Sequence, residues 1–168
     1  MKIIEMKYIK ISIIILLFVL LPIQSSVVDV KINVSNENSE IEVLSVYEIA
    51  EIITGAPAYI LRAIAITESN ENSDAIGDDG MSKGLMQLNE KFHKERADKY
   101  GEYDPFIPLD SLIIAGYLYM DNLRKLGDHD LAIAAHRQGV DGVRKYGASK
   151  WYINKVKDNL SEDNLIRR

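Results

Sequence analysis

The chain contains no cysteine, and its three histidines show no spacing typical of metal ligands. Without a thiol there is no disulfide, thiol nucleophile, zinc finger, iron–sulfur site or acylated cysteine anchor. We therefore expect no metal and no other cofactor. Basic residues are fewer than acidic ones, 20 against 25, which argues against nucleic acid as a partner. What remains is 168 residues, 47% of them hydrophobic, which suits one domain with an ordinary core.

Residues 1–26 have the composition of an export signal. Three lysines against one glutamate accompany an apolar run over 11–21 that only Ser12 interrupts. A membrane-spanning helix needs about twenty apolar residues, so this run fits the apolar region of a secretory signal better. An uncleaved N-terminal anchor is the alternative, and it would be the chain's only membrane contact. Both interpretations place the remainder outside the cytoplasm, in the periplasm or cell envelope.

The rest of the chain is predicted to form one all-α domain. Residues 27–40 turn polar and are interpreted as a linker before a domain over 41–168. From residue 41 the apolar residues recur at helical spacing, and glycine or proline ends most runs. The segment 70–84 is rich in turn-forming residues and predicts a loop. The predicted helices cover 41–54, 57–69, 90–100, 109–126, 130–138 and 150–160.

Glu68 is the most unusual residue of the apolar helix over 57–69. Its carboxylate lies over Ile64 and Ala65, one turn back, so that it contacts apolar surface. It also lies in the last turn, where the helix dipole disfavours a negative charge. Both effects favour the neutral form, which a general acid needs. The alternative is a solvated glutamate at a helix end.

Several motifs around Glu68 follow one another in a fixed order. Glu68-Ser69 precedes a glycine-bearing loop and the run Gly84-Leu85-Met86-Gln87. Further on come Asp104-Pro105, Ala115-Gly116, Ala135-His136-Arg137-Gln138-Gly139 and Tyr152-Ile153. In this order, over about residues 57–156, the chain resembles the lytic transglycosylases of the soluble-transglycosylase type. The resemblance implies a lysozyme-like fold.

The resemblance also implies an activity on peptidoglycan glycan strands. Members of the family cleave the β-1,4 bond between N-acetylmuramic acid and N-acetylglucosamine with one glutamate as acid and base, here Glu68. The product then carries a 1,6-anhydro ring. If Asp74, Asp78 or Asp79 faces Glu68, a hydrolytic muramidase is the alternative. A catalytically inactive wall-binding or assembly protein is a second alternative, and the oligomeric state is left open.

Seven further residues are candidates for substrate binding. By resemblance, Gln87 lines the groove and bonds to sugar, and Met86 forms a groove wall or packs in the core. Ser69 bonds at the site or ends its helix through a backbone contact. Tyr119 and Tyr146 are candidates for stacking on sugar rings, although aromatic residues at helical spacing also pack in cores.

The other two candidates, His136 and Arg137, follow Ala135 and stand where the family has the Tyr-Asn of its Ala-Tyr-Asn motif. The family tyrosine is expected to support the catalytic glutamate, so we expect His136 within hydrogen-bond reach of Glu68. A histidine there can also take up a proton, which would lower activity on acidification. Arg137 could pair with a carboxylate of the peptide stem or with an internal acid, or it could be a solvated surface residue.

Overall fold

The structure is a computed structural model that describes residues 44–166, with side chains described for residues 44–160. The predicted export signal at 1–26 and the linker at 27–40 lie outside these residues. None of the helices within 44–166 combines the length and the apolar character that crossing a lipid bilayer would need.

Six α-helices dominate the described residues, and the predicted all-α class is confirmed. They are α1 (Val46–Thr54), α2 (Ala58–Ser69), α3 (His93–Tyr100), α4 (Pro108–Leu126), α5 (His129–Tyr146) and α6 (Lys150–Ile166). A small antiparallel sheet follows α2, with a short 3-10 turn at Asp78–Gly80 between its first two strands and another at Glu90–Phe92 after its last strand. Its strands, in sheet order, are β1 (Ile76–Gly77), β2 (Ser82–Lys83) and β3 (Leu88–Asn89).

The helix ends follow from local sequence chemistry. Ser45 and Glu48 form a reciprocal capping box at the start of α1, and Gly55 ends that helix in a left-handed conformation. Asp128 caps α5 by accepting from the Leu131 N–H. Within α5, Gly139 leaves the helical region with φ 68° and ψ 163° and bends the helix. The prediction that the helix over 130–138 stops at this glycine agrees with the break in its backbone angles, and helical structure resumes after the glycine up to Tyr146.

The core surrounds α2, as its nearly continuous apolar sequence predicts. Leu61, Ile64 and Ala65 are at most 1% exposed. Buried side chains of α4 and α6, including Leu112 and Val156, belong to the same cluster. α2 packs along α6, and hydrogen bonds from Tyr152 and Lys155 to Glu68 and Thr67 place the C-terminal end of α2 beside the first turns of α6.

The segment 70–84, predicted as a loop, contains two short strands. Ile76 pairs with Lys83, and Lys83 in turn pairs with Leu88 of β3. Gly84 makes the turn between β2 and β3 possible, because its φ of +72° suits glycine and a Cβ there would overlap the Pro105 carbonyl. The sheet thus lies against the loop before α4 and forms one side of the site.

Candidate active site

A cleft of about 920 Å³ lies between the sheet region and α5, and Glu68 lines it. Its other lining residues come from the two 3-10 turns, from β2, β3 and the turn between them, and from α3, α4 and α5. Besides Glu68, the lining includes Asp78, Gln87, Phe92, His136 and Arg137. Of the predicted site residues, the cleft therefore brings together Glu68, Gln87, His136 and Arg137.

Tyr152 of α6 holds the carboxylate of Glu68. Its hydroxyl donates a hydrogen bond to Glu68 Oε1, and the side chain is 1% exposed. Burial, and then the negative charge and hydrogen bond of Glu68, raise the pKa of Tyr152 well above its usual range. The hydroxyl therefore keeps its proton and acts as a permanent donor. Tyr152 was not among the predicted site residues, and its place in the order of motifs is the sequence signal that could have indicated it.

The backbone around Glu68 is fixed by its neighbours on both sides. Ser69 Oγ donates to the Leu85 carbonyl at 2.8 Å and lies 3.2 Å from the Ala65 carbonyl. Lys155 Nζ donates to the Thr67 carbonyl at 3.2 Å. Ser69 thus fastens the end of α2 to the segment before β3, as in the backbone-contact alternative, rather than facing substrate.

His136 lines the cleft, but its hydrogen bond goes elsewhere than predicted. Its Nε2 lies 3.1 Å from the Met86 carbonyl, whereas the partner of the Glu68 carboxylate within residues 44–160 is Tyr152. The predicted His136–Glu68 bond is therefore not formed: Tyr152 of α6 bonds to Glu68, and the Met86 carbonyl is the partner of His136 Nε2. His136 instead ties α5 to the segment before β3.

Met86 packs in the core instead of forming a groove wall. Its side chain is 0% exposed and lies in the cluster that surrounds α2. Its backbone N–H donates to Ser111 Oγ at 3.3 Å, so both backbone groups are engaged. Met86 therefore shapes the cleft only through its backbone.

Gln87 lines the cleft as predicted, yet its amide group is used inside the sheet region. Nε2 donates to the Ala75 carbonyl at 3.1 Å and to the Gly84 carbonyl at 2.9 Å. Its Oε1 lies so close to Gly77 that a Cβ on that glycine would clash. With both amide hydrogens engaged, Gln87 clamps the sheet, and only its oxygen is left for a ligand.

The two tyrosines proposed for sugar stacking do not line the cleft. Tyr119 is 2% exposed, with its hydroxyl 2.5 Å from His129 Nδ1, so it belongs to the core. Tyr146 is 75% exposed outside the cleft, with Lys145 Nζ 4.9 Å from its ring centre. Phe92, which is 46% exposed, lines the cleft instead. It was not predicted as a site residue because polar residues surround it in the sequence.

Asp78 is the loop carboxylate that lines the cleft, whereas Asp74 and Asp79 do not. Its Oδ2 accepts a hydrogen bond from Ser82 Oγ at 2.6 Å, which fixes it against β2. Within the described part of the chain, no group of three or more His, Cys, Asp or Glu residues is placed to hold a metal ion.

An all-α domain with a small sheet beside a carboxylate at a helix end has the architecture of lysozyme-like glycan-cleaving domains. Residues 46–158, more than half of the chain, match the family model of the transglycosylase SLT domain. The chain therefore belongs to this family and contains a lysozyme-like lytic transglycosylase catalytic domain. No curated protein matches the chain. The family acts on peptidoglycan, which implies an extracytoplasmic location.

Proposed function

We propose that the chain cleaves the β-1,4 bond between N-acetylmuramic acid and N-acetylglucosamine, with Glu68 as the single acid and base. The observation that supports this most directly is the Glu68 carboxylate in the cleft, bonded to the buried hydroxyl of Tyr152. A tyrosine donor on Oε1 orients the carboxyl group and leaves Oε2 for the reacting proton.

In the first step, Glu68 acts as the acid. Its Oε2 proton passes to the glycosidic oxygen while the bond from that oxygen to C1 of the muramic acid breaks. The N-acetylglucosamine side leaves as an alcohol, and Glu68 is left as a carboxylate. Tyr152 does not compete as an acid, because its raised pKa keeps its own proton in place.

In the second step, Glu68 acts as the base. It takes the proton of the 6-hydroxyl of the same muramic acid while that oxygen bonds to C1 and closes the 1,6-anhydro ring. Glu68 is protonated again and no water is consumed. One carboxylate is sufficient because the substrate supplies its own nucleophile.

Hydrolysis of the same bond is a second candidate because of Asp78. This carboxylate lines the same cleft and is held by Ser82, so it could assist a water molecule in the attack. The product would then have a reducing end instead of an anhydro ring.

We also propose that residues 1–26 direct export and that 27–40 link this segment to the catalytic domain. The composition of both segments supports this organisation. Export would bring the domain to the peptidoglycan on which its family acts.

Glu68→Gln is the test of the catalytic assignment. The amide keeps the shape but has no acid proton, so release of muropeptides from purified sacculi should fall roughly 10²–10⁴-fold. Glu102→Gln is the matched control, since Glu102 is exposed and outside the cleft, and it should retain wild-type activity. A Glu68→Gln variant with more than half of wild-type turnover would contradict the assignment. Full retention of activity would instead favour a domain that only binds the wall, because the loss of an acid proton does not affect binding of that kind.

A further inference from the structure

Arg137 is an exposed cation at the cleft, next to the Glu68–Tyr152 pair. It lines the cleft, and its positive charge acts on the Tyr152 hydroxyl against the effect of burial. No ion pair of Arg137 occurs among residues 44–160. Arg137 therefore forms no ion pair with an internal acid within these residues, which was one of its alternatives.

The guanidinium of Arg137 is held by an aromatic surface. Its Cζ lies 5.5 Å from the ring centre of Trp151, which is 61% exposed. A second cation, Lys155 Nζ, lies 5.6 Å from the same ring. An arginine over an indole ring is restrained in orientation while the N–H groups at its edge stay available to a ligand. An exposed guanidinium that is restrained at the cleft and forms no ion pair within residues 44–160 is suited to bind an anionic group of a ligand.

The proposed reaction places such a group nearby. If Glu68 protonates the oxygen on C1 of the muramic acid, that sugar lies in the same cleft as Arg137. The peptide stem of peptidoglycan is attached to the muramic acid ring and bears carboxylates. A guanidinium binds a carboxylate through two parallel hydrogen bonds, which the asparagine of the family pattern could not do.

We propose that Arg137, restrained by Trp151, is a specificity-determining residue that binds a carboxylate of the peptide stem. This inference rests on the proposed function, whose substrate it narrows to strands with negatively charged stems. Strands whose stems are neutral bind more weakly.

Binding to uncleaved strands tests the inference apart from catalysis. The probes are soluble glycan strands whose stem carboxylates are either free or converted into methylamides. Affinities are measured in the Glu68→Gln background, so that the strands stay intact. The parent should prefer the free-carboxylate strands by roughly threefold to fivefold, the size expected of a solvent-exposed charge pair. The preference should shrink at high salt, since such a pair is screened.

Adding Arg137→Gln should abolish the preference by weakening only the binding of the free-carboxylate strands. Arg137→Lys, which keeps the charge without the planar fork, should keep part of it. Lys145→Gln is the matched control, because it removes an exposed cation over the aromatic ring of Tyr146, outside the cleft, and should leave the preference intact. An unchanged preference after Arg137→Gln, or none in the parent, would overturn the inference alone. Failure of the parent to bind either strand would count against the proposed function as well.

Discussion

At the residue scale, the pairing of Glu68 with Tyr152 is the feature on which the proposed chemistry depends. A buried hydroxyl that cannot readily ionise fixes one carboxylate oxygen, and the end of α2 is fastened by Ser69 and Lys155. Positioning of this kind affects the rate of the chemical step more than it affects binding, because the ground-state substrate contacts many other groups.

Tyr152→Phe should therefore lower kcat roughly 10–100-fold and leave KM almost unchanged, since only the orientation of the acid is lost. Steady-state kinetics on soluble glycan strands measure both constants. Tyr119→Phe is the matched control: it removes another buried, hydrogen-bonded hydroxyl, but one outside the cleft. A loss confined to KM, or an equal loss of kcat in both variants, would show that Tyr152 does not position Glu68.

The sequence marks Glu68 as a candidate through its apolar neighbours and the order of motifs, but it does not indicate the hydrogen-bond partner of Glu68. A glutamate that directly follows a run of apolar residues stands out in the sequence because its charge is unfavourable next to apolar surface. Its hydrogen bond to Tyr152 joins residues 84 positions apart, which no periodicity reveals. The resemblance favoured His136 for this role, whereas His136 bonds to the Met86 carbonyl. The sequence likewise does not show which tyrosines are buried, because the burial of Tyr119 depends on how the helices pack.

At the element scale, the close approach of α1 and α4 depends on Gly116. A Cβ at this position would lie 2.5 Å from Thr54 Oγ1 and 2.9 Å from Thr54 Cβ. Thr54 has little freedom to move away, because its hydroxyl donates to the Ala50 carbonyl and accepts from the Ala56 N–H. The glycine thus allows the two helices to pack at a distance that no other residue permits.

Gly116→Ala should lower the free energy of unfolding by about 1–3 kcal/mol, the usual cost of overpacking, despite the better helix propensity of alanine. Urea unfolding measures it. Adding Thr54→Ala should recover part of the loss, because the two sites are in contact. Gly142→Ala in α5 is the control, since its Cβ would contact only Gln138 Cβ, at 3.2 Å. A Gly116→Ala variant as stable as the wild type would contradict the claim that the packing of α1 against α4 requires a glycine at position 116.

Helices were predictable from the sequence, and the sheet was not. The predicted ends of the helix over 109–126 differ from those of α4 by one residue at most, because glycine and proline mark helix ends locally. Strands of two residues are too short to show an alternating pattern, so β1 and β2 were interpreted as part of the loop over 70–84, and β3 was not predicted. Their pairing depends on contacts such as the Gln87 clamp, which form only in the fold.

At the scale of the whole molecule, buried tyrosine hydroxyls make the fold sensitive to alkali. Burial, with smaller contributions from Tyr59, Asp128 and Asp130, raises the pKa of Tyr119 to about 12. In the unfolded chain a tyrosine ionises near pH ~10. Between these two values the unfolded chain has released a proton that the folded chain still holds, so stability falls as pH rises.

Tyr119→Phe should therefore flatten the decline of unfolding free energy between about pH 10 and 12, by on the order of 2 kcal/mol across that range. Part of the decline in unfolding free energy should remain in this variant, because the pKa of Tyr152 is also raised in the folded protein. Urea unfolding at several alkaline pH values measures the slope. Tyr146→Phe, which removes an exposed hydroxyl, is the control and should follow the wild type. Equal slopes for Tyr119→Phe and the wild type would contradict the prediction.

The most direct test of the proposed chemistry is the structure of the product. Purified sacculi are digested in water enriched in oxygen-18, and the released muropeptides are analysed by mass. Intramolecular closure by the 6-hydroxyl predicts 1,6-anhydro ends that are lighter by one water than hydrolysis products and contain no label. Reducing ends that carry oxygen-18 would contradict the account and assign the cleft of Glu68 and Asp78 to hydrolysis instead.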